Sequence, residues 1–405
     1  MHRRSVLVAL ALGASAVLGA IPSVPLAGAK QPKCLVVNVR SGQSYGTLQE
    51  AVAAASAEDT LKVKGTCNGT TRISKNLTIV GESGYGSGQA TLDGAKSGSV
   101  VTVERGVTVA LTRLTITGGS GSPEGIGGGI TNFGSLTLTD STVSGNTAFG
   151  KGGGIFNGGE SSPEASLRIT DSTVSNNEVG SSGGGIANEE GSVTLNDSIV
   201  SRNTARQDGG GIAQVFGGSL TITDSTVADN TAVGYITSLG GGIDVTSGSL
   251  TLTNSTVRGN AAPRGGGGIY GATTIIAGGG RNSLTLDNST VTRNTATGSF
   301  EYEGTKYIGH GGGILDRAGT VTLNGSSSVS RNEAAGNGGG IYSGKTLEHQ
   351  ADSVILNDSS SVTRNTAGGE GGGIYSDKSG GATLTFGIGW MGSVSGNEPD
   401  DIFFD

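Results

Sequence analysis

The sequence predicts an all-β solenoid, in which short strands coil repeatedly around one axis. Of 405 residues, 77 are Gly and only 7 are Pro, and aromatic residues make up 4%, so a thick core built on aromatic rings is not expected. Val, Ile and Leu alternate with Thr and Ser in short runs such as SLTLT at 135–139, a pattern typical of half-buried strands. In addition, two short phrases recur along most of the chain.

The first phrase is a glycine triplet followed by isoleucine, and its nine copies end at Ile130, Ile155, Ile186, Ile212, Ile243, Ile269, Ile314, Ile341 and Ile374. The second phrase is Val-x-x-Asn, and its nine copies end at Asn146, Asn177, Asn203, Asn230, Asn260, Asn294, Asn332, Asn365 and Asn397. A period of roughly 25 to 35 residues is typical of stacked repeats that bury their apolar side only against their neighbours.

These phrases predict a single parallel β-helix with three strands per coil, at GGGI, at LTL and at TVSGN, and about twelve coils in all. Parallel pairing would stack the coils ~4.8 Å apart. Ile, Leu and Val would fill the interior, and the asparagines would form a ladder because stacked amides both donate and accept hydrogen bonds. The glycine triplets would supply turns that β-carbons obstruct.

The ends of the repeat predict caps, within one domain that spans residues 30–405. Residues 30–126 contain less regular coils, 127–398 the nine repeats and 399–405 a C-terminal cap. Thr47 and Glu50 have capping-box spacing before an Ala-rich helix to Ala57, which would cover the open end of the stack. Cys34 and Cys67, the two cysteines, are expected to form a disulfide.

Residues 1–29 read as a secretion signal, with Arg3 and Arg4 before a short apolar run and the small residues Ala27, Gly28 and Ala29 at the cleavage site. The mature chain is therefore expected to be secreted or attached to a cell surface, with no transmembrane segment. Removing the signal changes the formal net charge from −7 to 24 − 33 = −9. Such a charge argues against nucleic acid as a partner.

The nine GGGI and Val-x-x-Asn copies, over residues 127 to 397, resemble the repeats of chlamydial polymorphic membrane proteins, whose motifs are GGA-I and Phe-x-x-Asn. More broadly, the chain resembles the pectin-lyase-like superfamily, which contains both polysaccharide enzymes and binding proteins. The resemblance implies a right-handed helix and an adhesin-like role. This sequence departs from the chlamydial pattern by having a third Gly in place of Ala and Val in place of Phe.

Candidate chemistry centres on the stretch GHGGGI at 309–314. The Gly-His-Gly also resembles polygalacturonase-type glycosidases, but their Asn-Thr-Asp and Arg-Ile-Lys motifs are absent, and glycoside cleavage needs paired carboxyl groups. Residue 310 belongs to a variable column before each GGG, which is expected to face solvent. Asp244, Arg264 and His310 are the candidate catalytic residues, beside insertions at 270–283, 299–309 and 344–353.

Two further columns are candidate binding sites. The residue after each repeat isoleucine is expected to point outward, which predicts exposed rings for binding sugars or a partner at Tyr270, Tyr342 and Tyr375. One aspartate per coil stacks at the turn before TVS, and these four are expected to cap turns or, alternatively, to bind a column of Ca²⁺ ions: Asp140, Asp171, Asp197 and Asp224.

The sequence favours a monomeric, secreted or surface-associated binding or structural protein that contacts polysaccharide or another surface, without a cofactor. The alternative is a polysaccharide lyase or glycoside hydrolase with its site near Asp244, Arg264 and His310. The binding role is preferred because no outward cluster of carboxylates is evident. Asp208 and Asp244 fall in different columns, several residues apart.

Overall fold

The computed structural model describes residues 33–82, 89–122, 124–159, 164–234, 237–273, 281–302, 304–344, 352–378 and 381–405. These residues form a parallel β-helix with three long sheets, each of which contains twelve parallel strands. The predicted secretion signal lies outside the described residues. Among the residues that are described, no helix has the length and apolar character needed to cross a membrane.

We name the three long sheets by the repeat phrases that form them. The LTL sheet has the parallel strands Asp59–Lys64, Leu77–Gly81, Thr108–Thr112, Ser135–Thr139, Ser166–Thr170, Ser192–Asn196, Ser219–Thr223, Ser249–Thr253, Asn282–Asp287, Gly319–Asn324, Ser353–Leu356 and Thr383–Phe386. At its N-terminal edge, two further strands, Leu35–Asn38 and Ser44–Tyr45, pair in antiparallel fashion.

The TVS sheet has the strands Thr66–Asn68, Ala90–Asp93, Leu114–Thr117, Thr142–Ser144, Thr173–Ser175, Ile199–Ser201, Thr226–Ala228, Thr256–Arg258, Thr290–Thr292, Ser328–Ser330, Ser361–Thr363 and Ser393–Ser395. The GGGI sheet has the strands Thr71–Ile73, Val101–Val103, Ile130–Asn132, Ile155–Gly158, Ile186–Glu189, Ile212–Val215, Ile243–Thr246, Ile269–Ala272, Ile314–Arg317, Ile341–Ser343, Ile374–Ser376 and Ile402–Phe404. The last of these is the predicted C-terminal cap, which extends the sheet by one strand.

The pairing register places equivalent residues of successive coils above one another. Leu136 pairs with Leu167 in the LTL sheet and Ile155 with Ile186 in the GGGI sheet. Their side chains are buried in one continuous hydrophobic core that runs through the stack. The Leu, Ile and Val ladders are therefore packed between coils, as expected for a solenoid whose single coil cannot bury its own apolar side.

The prediction of three strands per coil misses a fourth, which has only two residues and follows the repeat asparagine. The fourth strands are Thr147–Ala148, Glu178–Val179, Thr204–Ala205, Thr231–Ala232, Thr295–Ala296, Glu333–Ala334 and Thr366–Ala367. Ala261 completes this column through bridges to Thr231 and Thr295. Two residues are too few to show an alternating pattern, so periodicity could not identify this strand.

The repeat asparagines form a continuous buried ladder inside the bend between the TVS strand and the fourth strand. Asn177 is representative. Its Nδ2 donates to Val143 O in the preceding coil and to Asn203 Oδ1 in the next, both at 3.0 Å. Its Oδ1 accepts from the backbone N–H and the Nδ2 of Asn146. At the C-terminal end, Asp401 takes the place of the next asparagine and accepts from Asn397.

The N-terminal helix spans Leu48–Ala54 and covers the first coils with its buried Leu48, Ala51 and Val52. Thr47 is its N-cap, and its side chain accepts from Glu50 N at 3.2 Å. The helix ends before the predicted Ala57 because Ala55 is already extended. The structure contains the disulfide between Cys34 and Cys67 beside this cap.

Candidate functional site

The GGGI strands are buried on both faces, which contradicts the expected exposure of two of the three candidate tyrosines. Tyr270 and Tyr375 are only 8% and 6% exposed, and Tyr342 is half-buried. The cause is the glycine triplet itself, because its first residue folds back over the strand that follows. At Gly371, with φ of +65°, an added β-carbon would lie 2.7 Å from Tyr375 Cα. Only glycine permits both that conformation and that approach.

The rings on this outer face stack upon one another along the axis. Tyr342 lies parallel to Tyr375, with ring centroids 4.9 Å apart, and Tyr375 lies parallel to Phe403 at 5.6 Å. The Tyr375 hydroxyl donates to Asp405 Oδ2 at 2.8 Å, and burial raises its pKa. Because the proposed sugar contacts depended on exposed rings, Tyr270 and Tyr375 are better explained as packing residues.

Asp208 and Asp244 interact, although the sequence placed them in separate columns. The loop that carries Asp208 lies over the strand that carries Asp244. Asp244 is 1% exposed, and burial and the neighbouring Asp208 raise its pKa well above its usual value. Burial raises the pKa of Asp208 to about 6, opposed by a hydrogen bond from Leu239 N and by Arg264. The two carboxyl groups therefore form an interacting pair, but with Asp244 buried they are not an outward cluster of carboxylates.

Gly265 occupies the column before GGG on the coil that precedes His310, because it bridges both Leu239 and His310 in the parallel sense. Arg264 lies one residue before this column, so it is not in register with His310. His310 Nδ1 accepts a hydrogen bond from Asn337 N at 2.9 Å. Burial, followed by the charge of Arg317, lowers the pKa of His310 to about 4. The imidazole is therefore neutral near pH 7, and its Nδ1 is engaged by the backbone.

An antiparallel hairpin formed by Ser299–Tyr302 and Thr305–Ile308 stands beside this column. It is the insertion at 299–309 that the sequence marks as a candidate functional loop. Phe300 stacks on Tyr307 with centroids 5.2 Å apart, and the Arg264 guanidinium lies 4.7 Å from the centre of the Tyr307 ring. The hairpin is thereby held against the coils. The other two insertions fall largely outside the described residues, at 274–280 and 345–351.

Two separate cavities lie along the column of fourth strands, and we call this surface the fourth-strand groove. A cavity of about 420 Å³ lies in it, bordered by Thr231, Ala232, Val233, Ala261, Ala262, Pro263, Thr295, Thr297, Gly298, Ser299 and Phe300. A second cavity of about 340 Å³ lies on earlier coils, bordered by Thr147, Ala148, Phe149, Glu178, Val179, Gly180 and Arg206. Phe149 is 87% exposed there.

Sequence reasoning missed this groove because it missed the strand that forms its floor. The available signal was the short polar-then-small pair after six of the nine repeat asparagines, as in Asn-Thr-Ala. The small residue of this pair is alanine, at 148, 205, 232, 296, 334 and 367, and Ala148, Ala232 and other alanines border the two cavities.

The four stacked aspartates occupy exposed turns. Asp140, Asp171, Asp197 and Asp224 all have φ between +47° and +49°, and Asn254 and Asn288 adopt φ of +49° at the equivalent position of later coils. Asn replaces Asp without a change of backbone conformation, so the left-handed turn, which both residues tolerate, accounts for the column. Among the described residues, no group of three or more His, Cys, Asp or Glu side chains is arranged to hold a metal ion.

The sequence matches a family model described as a right handed beta helix region over residues 124–314. No curated protein and no solved structure matches the chain. Together with the twelve parallel strands of each long sheet, this similarity over residues 124–314 shows that the chain folds as a right-handed parallel β-helix.

Proposed function

We propose that this protein binds a linear, uncharged polysaccharide in the fourth-strand groove. The observation that carries the proposal is the cavity beneath the hairpin, because none of the residues that border it is charged. A neutral polyhydroxylated ligand suits such a lining, whereas a uronate polymer would also be repelled by a chain of net charge −7.

The groups that border the cavity match the two sides of a sugar ring. Thr231, Thr295 and Ser299 offer hydroxyl groups that both donate and accept hydrogen bonds. Phe300 offers an apolar ring face, and Phe149 offers another in the second cavity, on which the apolar face of a sugar can stack. Because coils repeat every ~4.8 Å, a polymer along the axis would meet the hydroxyl groups of Thr231 and Thr295 on separate coils of the same cavity.

The proposed location is outside the cell, as a secreted or surface-attached monomer. The apolar segment and small-residue site within residues 1–29 support export. The Cys34–Cys67 disulfide supports an oxidising compartment. An adhesin-like role, which the resemblance to the chlamydial repeats implies, would follow if the polysaccharide belongs to another cell.

The binding proposal is tested by retention of the mature protein on immobilised neutral and acidic polysaccharides. Phe300→Ala and Phe149→Ala should each weaken retention on a neutral polysaccharide about tenfold, the equivalent of about 1.4 kcal/mol. Phe386→Ala is the matched control, because Phe386 is 43% exposed but lies in the last strand of the LTL sheet. Retention only on acidic polymers, or retention that neither groove variant weakens, would refute the proposal.

A polysaccharide lyase or hydrolase is the second candidate, favoured by the electrostatic interactions of Asp208 with Asp244 and with Arg264. A carboxyl group whose pKa is raised to about 6, as that of Asp208 is, can donate a proton near neutral pH, which glycoside cleavage requires of its acid. Against it, Asp244 is almost fully buried. Product release from any polysaccharide, abolished by Asp208→Asn but not by the exposed-turn variant Asp224→Asn, would establish the enzyme.

A further inference from the structure

The GGGI and LTL sheets meet at an interior angle, which we call the inner corner. The second residue after each repeat isoleucine lines it. In the upstream coils this residue is an amide, and the amides form a second ladder. Asn132 Nδ2 donates to Asn157 Oδ1, Asn157 Nδ2 to Asn188 Oδ1, and Asn188 Nδ2 to Gln214 Oε1, each at 2.6 Å.

In the downstream coils the same column contains carboxyl and hydroxyl groups. Asp316, Ser343 and Ser376 are in register on three successive coils. Asp352 immediately precedes the LTL strand Ser353–Leu356 and reaches the corner from that side. Its Oδ1 accepts a hydrogen bond from Gly319 N at 3.1 Å. All four of these acidic and hydroxyl residues are at most 1% exposed.

Each carboxyl group in this corner has one oxygen in a hydrogen bond and one without. Asp316 Oδ1 accepts from Asn282 Nδ2 at 2.7 Å. The oxygens that have no hydrogen-bond partner among the described residues are Asp316 Oδ2, Asp352 Oδ2, Ser343 Oγ and Ser376 Oγ. Buried polar atoms are nearly always satisfied, so four such oxygens in one corner indicate a ligand.

The electrostatics of the corner require a positive charge or a proton. Asp316 and Asp352 are 0% and 1% exposed, so water does not screen the charge of either carboxyl group. Two ionised carboxylates in a protein interior are costly unless a counter-charge accompanies them.

We propose that the inner corner binds one Ca²⁺ ion through Asp316 Oδ2, Asp352 Oδ2 and Ser343 Oγ. The donor set consists only of oxygens, which is the set that hard cations prefer, and two carboxylates balance a divalent charge. A proton shared by the two carboxyl groups would satisfy Asp316 and Asp352 but leave the Ser343 hydroxyl without a partner, whereas a cation is coordinated by both kinds of oxygen.

The site is tested on mature protein treated with EDTA, dialysed and then titrated with CaCl₂ in a calorimeter, with thermal unfolding measured in parallel. We expect one Ca²⁺ per chain and a rise in Tm of at least about 2 °C on adding CaCl₂. Both should be lost in the double variant Asp316→Asn with Asp352→Asn. The control is Asp171→Asn with Asp197→Asn, which removes two carboxylates from the exposed column and should leave binding unchanged.

A third variant guards against misfolding of the doubly substituted chain. Ser343→Ala keeps both carboxylates and should weaken Ca²⁺ binding about tenfold. Absence of calcium binding to the EDTA-treated protein would refute the proposal. Calcium binding that survives in the inner-corner double variant, or that is lost in the exposed-column variant, would refute it equally. None of these measurements involves a polysaccharide, so they are independent of the proposed function.

Discussion

The two halves of the inner corner share a backbone but differ in side-chain chemistry. Upstream, Asn157 both donates to the next coil and accepts from the previous one, so the amide ladder satisfies itself. Downstream, a carboxylate such as Asp316 can only accept, and although the register aligns Asp316 with Ser343, Asp316 Oδ2 and Ser343 Oγ have no hydrogen-bond partner among the described residues. Coil geometry therefore fixes where a polar group lies, while the hydrogen bonds that it can make with the next coil determine whether the stack is complete without a ligand.

The asparagine ladder beside the fourth strand provides the reference for this comparison, because it is the same in both halves. Asn332 makes the same set of bonds as Asn177, to Val291 O and Asn365 Oδ1. Asn177→Ala and Asn332→Ala should each lower the free energy of unfolding by about 3 to 5 kcal/mol, because buried partners lose their hydrogen bonds. Denaturant titration of both variants measures this. If the two substitutions lower the free energy of unfolding by amounts that differ by more than about 1 kcal/mol, the two halves of the helix differ in more than the inner corner.

Placing a carboxylate in the upstream corner should reproduce the downstream defect. In Asn157→Asp the new side chain cannot donate to Asn188 Oδ1, so we expect a loss of about 2 to 3 kcal/mol at pH 8. Asn157→Gln, which keeps both donor and acceptor but must fit one more methylene, serves as the control for simple overpacking. If Asn157→Asp is as stable as the wild type, donor capacity is not what distinguishes the two halves.

The sequence predicted the features that repeat and missed those that depend on how one turn packs on another. Nine equivalent copies of Ile130 and Asn146 sufficed for the parallel β-helix with its core ladders, because each copy reports the same backbone position, whereas the right-handed sense came from the resemblance to known repeats. The exposure of Tyr270 was predicted wrongly because strand alternation ignores the glycine turn that covers it. The contact between Asp208 and Asp244 was missed for the same reason, since the turn brings one column over the other.

Asp208, which interacts with Asp244, should make stability depend on pH, whereas the aspartates of the exposed turns should not. The pKa of Asp208 is raised to about 6 in the folded chain from about 3.9 when unfolded. The folded state therefore holds the proton more tightly, and its stability falls as pH rises from about 4 to 6. His310, whose pKa is lowered to about 4, contributes the opposite slope below about 6.5.

The difference between variant and wild type isolates the Asp208 contribution from that of His310. Asp208→Asn keeps an acceptor for Leu239 N but cannot ionise, so relative to wild type it should gain up to ~2 kcal/mol between pH 4 and pH 7. Urea titrations at both pH values measure the gain. The exposed-turn variant Asp224→Asn should show no such trend, and an equal gain there would assign the effect to overall charge.

The smallest expected effect concerns the outer face, where the downstream rings replace the upstream alanines Ala187 and Ala213. Tyr375→Phe keeps the ring between Tyr342 and Phe403 and removes only the hydrogen bond to Asp405. Because the Asp405 carboxylate is exposed and regains water, the cost should be about 1 kcal/mol.

The matched control for this last substitution is Tyr45→Phe. In the wild type, the Tyr45 hydroxyl donates to Gln43 Oε1 at 2.8 Å in an exposed setting. There water replaces both partners, so the loss should be under about 0.5 kcal/mol. Thermal unfolding of the two variants in one buffer gives the comparison. If Tyr375→Phe lowers stability no more than Tyr45→Phe does, the outer stack is held by its rings alone. The hydrogen bond from the Tyr375 hydroxyl to Asp405 would then add nothing to the stability of the last coil.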